Sequence, residues 1–87
     1  MKMYLISDNA DTVTGMRLAG VDGEILDDNL LVEAKIIELA ADEEIAVIFI
    51  TPKIAHKIQK FMKNFIRTHP KPILALIPDG HDRTEMI

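Results

Sequence analysis

Six consecutive apolar residues, Ile45-Ala46-Val47-Ile48-Phe49-Ile50, constrain this chain more than any other stretch. All but Ala46 are β-branched or aromatic, and no polar residue alternates with them. A strand of that kind has both faces covered, as at the centre of a parallel sheet between two helical layers. Neighbouring parallel strands are joined by crossovers, usually helical, so the run predicts helices before and after it. Thr51-Pro52 follows at once. Thr51 suits an N-cap, and Pro52 suits the first helical position, where a missing N–H loses no bond.

The remaining segments supply that alternation. Met3-Tyr4-Leu5-Ile6 reads as a buried strand ending in the turn Ser7-Asp8-Asn9. Asp11 is expected to cap a first helix, with Val13 and Met16 inward and Gly20 as its stop. A short second strand is expected over Gly23–Leu26. Asp27-Asp28 opens a second helix, and Leu30, Ala34, Ile37 and Ala41 give it an apolar stripe expected to face the core. Leu31 and Ile36 widen that stripe or face a partner. A third helix carries Ile54, Ala55, Ile58, Phe61, Met62, Phe65 and Ile66 inward and ends at His69-Pro70. The run between Pro72 and Pro78 is a fourth strand, with prolines suited to strand ends or an edge. The expectation is one α/β domain over residues 1–78, a small open four-stranded parallel sheet flanked by helices, βαβαβαβ, of flavodoxin or receiver type. A short polar tail is expected over 79–87.

Composition narrows the chemistry. The chain has no cysteine, which excludes disulfides, thiolate zinc sites and a thiol nucleophile. The amino terminus does not have the basic and apolar regions of a signal peptide, and no apolar run approaches the roughly 18 residues of a membrane span. Residues 1–50 carry three basic and eleven acidic side chains, whereas residues 51–87 carry seven basic and three acidic. A uniform nucleic-acid binder is not built this way, and no aromatics interleave the Lys53, Lys57, Lys60 and Lys63 face for base stacking. The division reads as two solvated faces of opposite sign, or as a polar surface that steers a charged partner.

The stretch from Ile6 to Gly20 is the candidate for chemistry, because open α/β sheets bind ligands at the carboxyl ends of their strands. A phosphate cradle needs glycine in the turn, and this turn instead holds Asp8 and Asp11 with no glycine. Asp8 and Asp11 could share a hard cation in a small metal- or phosphate-dependent regulator. A phospho-receiver would also need an acceptor Asp after the central strand, where Thr51-Pro52 stands. His56, His69 and His81 share no ligand spacing. Gly15, inside the first helix, is expected to mark a close approach of another backbone, that of its own sheet or of another chain.

Three blocks resemble one family in place and order: Ile6-Ser7-Asp8 with Asp11–Met16 and Leu18-Ala19-Gly20; Glu44–Thr51 with Ile54-Ala55; and Pro72–Pro78. They are similar to the F subunit of V-type and A-type rotary ATPases, over about residues 1–80. The resemblance implies a non-catalytic central-stalk component without cofactor, metal or catalytic residues. Its implied partner is the coiled coil of the stalk's D subunit, with the catalytic A/B head and other stalk subunits reached indirectly. It implies neither nucleic-acid binding nor direct membrane insertion, and a cytoplasmic place peripheral to the membrane through the complex. Family members also carry a carboxy-terminal regulatory segment, which is expected to be shortened or absent here. The candidate partner contacts are Thr12, Met16 and Arg17, with Ile73 and Leu76 if the fourth strand is an exposed edge.

Overall fold

A computed structural model of the chain describes residues 1–77. The elements follow in the order β1 (Lys2–Ser7), α1 (Ala10–Leu18), β2 (Asp22–Ile25), α2 (Asn29–Ala40), β3 (Ile45–Ile50), α3 (Pro52–Lys57), α4 (Gln59–Thr68) and β4 (Ile73–Leu76). The four strands form one sheet in the order β2-β1-β3-β4, and every pairing is parallel. The apolar run Ile45–Ile50 is central as its composition requires, hydrogen-bonded to β1 on one side and β4 on the other. The tail expected over 79–87 lies outside the described residues.

Strand alternation divides the core into two layers. Ile6, Ile48 and Ile50 point to one face, where they meet Val32, Ile36 and Leu39 of α2 and Ile54, Ala55, Ile58 and Phe65 of the α3–α4 segment. Leu5 points to the other, where it meets Val13 of α1 and Val21, with Met16, Phe49 and Ile77 half-buried beside them. Crossing from β2 over β1 to β3 places α2 opposite α1.

Local chemistry sets the element ends, and it corrects several sequence expectations. Asn9, not Asp11, caps α1: its carboxamide oxygen accepts the Asp11 and Thr12 N–H groups at 2.8 and 3.3 Å. Asp11 lies further on, within the first turn of the helix. Asp28 caps α2 by accepting from Leu30 N–H and Leu31 N–H. Gly20 ends α1 at φ +90°, the left-handed conformation that glycine adopts without a Cβ clash. The Gly20 and Val21 N–H groups reach back to the Arg17 and Met16 carbonyls. Thr51 sits at the N-cap position of α3, but its side chain makes no cap bond.

The single third helix read from sequence is two. It breaks at Ile58, whose backbone leaves helical geometry at φ −116° and ψ 27°. The Ile58 N–H is shared between the Ile54 and Ala55 carbonyls, and the Met62 N–H picks up the Ile58 carbonyl to restart the helix. Ile66, expected inward, is exposed.

The glycines exchange roles. A Cβ on Gly15 would meet nothing within 4 Å, so no backbone of its own chain packs against it. Gly23, opposite Leu5 in the ladder, is the close approach: a Cβ there would lie 2.8 Å from the Leu5 Cβ and 2.9 Å from its carbonyl oxygen. Gly15→Ala is therefore expected to stabilise the fold by about 0.5–1 kcal/mol, the helix-propensity difference. A thermal melt checks it, and a lower melting temperature would show a neighbour against that face.

The apolar stripe chosen for the inner side of α2 is its outer side. Val32, Ile36 and Leu39 are buried, whereas Leu30, Ala34, Ile37 and Ala41 all face solvent, Leu30 with 75% and Ile37 with 57% of its surface exposed. Leu31 is exposed as well. The helix has apolar residues on two opposite sides, and periodicity alone does not say which is buried.

Candidate functional site

The turn after β1 is held by its own side chains. The Ser7 hydroxyl, fully buried, accepts the Asn9 N–H at 2.9 Å and donates to the Asn9 carbonyl at 3.2 Å. Asp8 reaches across to the neighbouring turn: its carboxylate accepts the Thr51 hydroxyl at 3.0 Å and lies 3.8 Å from the Lys53 ammonium. Thr51 is fully buried, so this bond satisfies a hydroxyl that would otherwise be costly to bury. The arrangement ties the β1–α1 turn to the β3–α3 turn. Asp8 is engaged in that tie, and Asp11 is exposed on the first turn of α1. Among the described residues, no group of three or more His, Asp or Glu side chains is placed to hold a metal ion.

A second polar cluster straddles β1, β2 and α2. The Tyr4 hydroxyl donates to Glu24 at 2.8 Å, and the Lys35 ammonium contacts the same carboxylate at 2.9 Å and Glu38 at 3.1 Å. The ammonium also lies 5.5 Å from the centre of the Tyr4 ring. The Lys35 hydrogen bond holds the Glu24 carboxyl below its ordinary range. Bonds to Glu24 and then Glu38 raise the Lys35 ammonium. Burial, then the Glu24 hydrogen bond, pushes the Tyr4 phenol from 10.0 up to about 12. Tyr4 is the single tyrosine and the chain has no tryptophan, so tyrosinate absorbance reports it alone. Its titration is expected near 12 in the folded protein, and lower in Glu24→Gln. A raised acid is linked to stability on the alkaline side: the contribution is complete below the unfolded pKa near 10 and is lost as pH rises through about 12. A folded-state midpoint at 10 would refute the half-buried bond to Glu24.

The five residues named as partner contacts do not come together. Thr12 and Met16 are half-buried on α1, with Met16 against the Leu5 layer. Arg17 is exposed, and its guanidinium donates to the Gly23 carbonyl at 3.1 Å, so it clips α1 to β2. Ile73 and Leu76 lie on β4, an edge strand of the sheet, with 61% and 59% of their surfaces exposed. Leu76 also lines an apolar groove of about 390 Å³ with Pro52, Ala55, Met62 and Ile66. Alternation puts Ile73 and Leu76 on opposite faces of the strand. The exposed stripe of α2 is a surface that the sequence reading did not choose. Its i, i+4, i+7, i+11 spacing is equally that of a core stripe, so the pattern alone points it inward.

No helix among the described residues is long and apolar enough to cross a membrane. The arrangement is an α/β body with the Asp8 carboxylate tied to the neighbouring turn and large apolar side chains at its surface. Comparison with known proteins places such a body. Residues 3–86 match the family model described as ATP synthase (F/14-kDa) subunit. The chain is 38% identical over 89 aligned positions to the A-type ATP synthase F subunit of Methanocaldococcus jannaschii, covering 100% of this chain and 84% of that protein. The match runs through β1, the capped α1, the central strand and β4, and on that breadth the chain belongs to the family of ATP synthase (F/14-kDa) subunits.

Proposed function

We propose that this chain works by docking onto the coiled coil of the D subunit in the central stalk of a rotary ATP synthase. Family membership makes it a non-catalytic accessory component of that complex, and its role is that of a stalk subunit. The observation that supports docking is the division of its surface. The polar groups at the strand ends are consumed in structural bonds, as Asp8 is by Thr51, while Leu30, Leu31, Ile37, Ile73 and Leu76 are left exposed. Contiguous apolar side chains at a surface mark a protein contact, and Leu30, Leu31 and Ile37 share one helix. Burial against a helical partner would fix the body to the rotor, so that it turns with the shaft while other subunits hydrolyse or make ATP.

The proposed contact residues serve different neighbours. Thr12, Met16 and Arg17 belong to the α1 layer, and Ile73 and Leu76 to the β4 edge. The A/B head is reached through the stalk rather than through a site on this chain. A cytoplasmic position, peripheral to the membrane, follows from the same reading.

Co-expression with the D subunit of the same organism tests the docking. A stable one-to-one complex on size exclusion is expected. Two separate peaks at micromolar concentrations of both proteins would overturn it.

A further inference from the structure

The outer side of α2 has the spacing of a coiled-coil seam. Leu30, Ala34, Ile37 and Ala41 are separated by four, three and four residues, the a/d interval of a heptad repeat. All four are exposed, and they lie across the helix from buried Val32, Ile36 and Leu39. The seam runs the length of the helix, about 18 Å for twelve residues at about 1.5 Å each. Alternating large and small side chains leave room at Ala34 and Ala41 for knobs from another helix.

The flanks say which kind of helix fits. Glu33 and Glu38 border the seam on its two sides, and Asp42-Glu43-Glu44 follow its end. The cation on this helix, Lys35, is turned away toward Glu24 and the Tyr4 ring, though it also touches Glu38. Two copies of α2 packed seam to seam would set these carboxylates against one another, which disfavours self-association. We infer that the outer face of α2 is the seat of a coiled coil whose apolar heptad positions are flanked by lysine and arginine, and that it forms the main contact with the stalk shaft. This rests on the docking reading above and assigns its surface. Burial of Leu30 and Ile37 holds the contact, and the acidic flanks set its register and speed its formation.

The test uses the full chain and the D subunit of the same organism, with binding measured by calorimetry at two salt concentrations. Leu30→Glu/Ile37→Glu is expected to weaken the complex by about 100-fold or more, as loss of two central anchors does. Glu33→Lys/Glu38→Lys is expected to weaken it about tenfold and to flatten the salt dependence. Leu76→Glu, on the β4 edge, is expected to bind like the parent. These substitutions fall on side chains outside the core, and an unchanged thermal melt confirms that each variant is folded. If the α2 double variant binds as tightly as the parent while the parent forms the complex, the assignment to α2 falls and the docking reading stands. Loss on Leu76→Glu alone would move the contact to the β4 groove and likewise overturn it. If the parent forms no complex, both readings fall. A parent chain that dimerises alone, and becomes monomeric in the double variant, would replace the coiled coil with a second copy.

Discussion

Ile48→Ala is expected to lower the free energy of unfolding by about 4 kcal/mol, near the upper part of the range for a fully buried isoleucine. Ile48 has no exposed surface and sits at the middle of the central strand, between Tyr4 of β1 and Leu74 of β4. The deleted carbons leave a cavity between the sheet and the helices packed on it, and the hydrogen-bonded strands that form its floor cannot collapse into it. Small domains hold about 5–15 kcal/mol in total, so one such substitution removes a large share. Urea denaturation followed by circular dichroism checks it, with a lower midpoint and an unchanged slope. Ile37→Ala is the matched comparison and is expected to change stability by no more than about 0.5 kcal/mol, because Ile37 faces solvent. A loss of about 4 kcal/mol at Ile37 as well would mean that Ile37 lies on the inner side of α2.

Gly23→Ala is expected to cost about 1–3 kcal/mol, the range for forcing an extra carbon into a packed position. The atoms in the way are the Cβ and carbonyl oxygen of Leu5, part of the main chain and stem of the neighbouring strand. They cannot swing aside as a flexible side-chain end would. Relief requires β2 to lift from β1, which also strains the Arg17 bond to the Gly23 carbonyl. Denaturation measures the loss, and hydrogen exchange should localise it to the amides of β2. Stability equal to the parent would show that β2 stands further from Leu5 than its geometry indicates.

The order of strands and helices was legible because each strand has its own signal. The central run has no polar residue, β4 sits between two prolines, and Gly20 and Asp28 mark a helix end and start. What escaped the sequence depended on contacts between segments. Asn9 and Asp11 are both good caps, and only the path of the chain out of β1 selects Asn9. Gly15 and Gly23 look equally like packing glycines, but only the sheet register brings Leu5 to one of them. The break at Ile58 has no glycine or proline to announce it. In α2, two apolar stripes compete for the core, and the β-branched and long residues at 32, 36 and 39 prevail over the stripe that contains two alanines.

The candidate contacts were less legible than the fold, for a related reason. Exposed apolar residues at a protein surface resemble core residues in one-dimensional patterning, so Leu30 and Ile37 read as interior. Arg17 read as a partner contact, and the structure gives its guanidinium an internal acceptor. Family membership rests on the whole pattern and is independent of either assignment.

The sheet order has a mechanical consequence if the body docks on a shaft as proposed above. The two longest strands, β1 and β3, lie side by side at the centre and run the same way. A pull along their length loads all the hydrogen bonds between them together, so none fails before the rest. A pull across the sheet at the four-residue β4 loads those bonds one after another, as in opening a zip. The domain is therefore stiff along one axis and compliant along another. How it is seated decides whether torque meets its strong direction or its weak one.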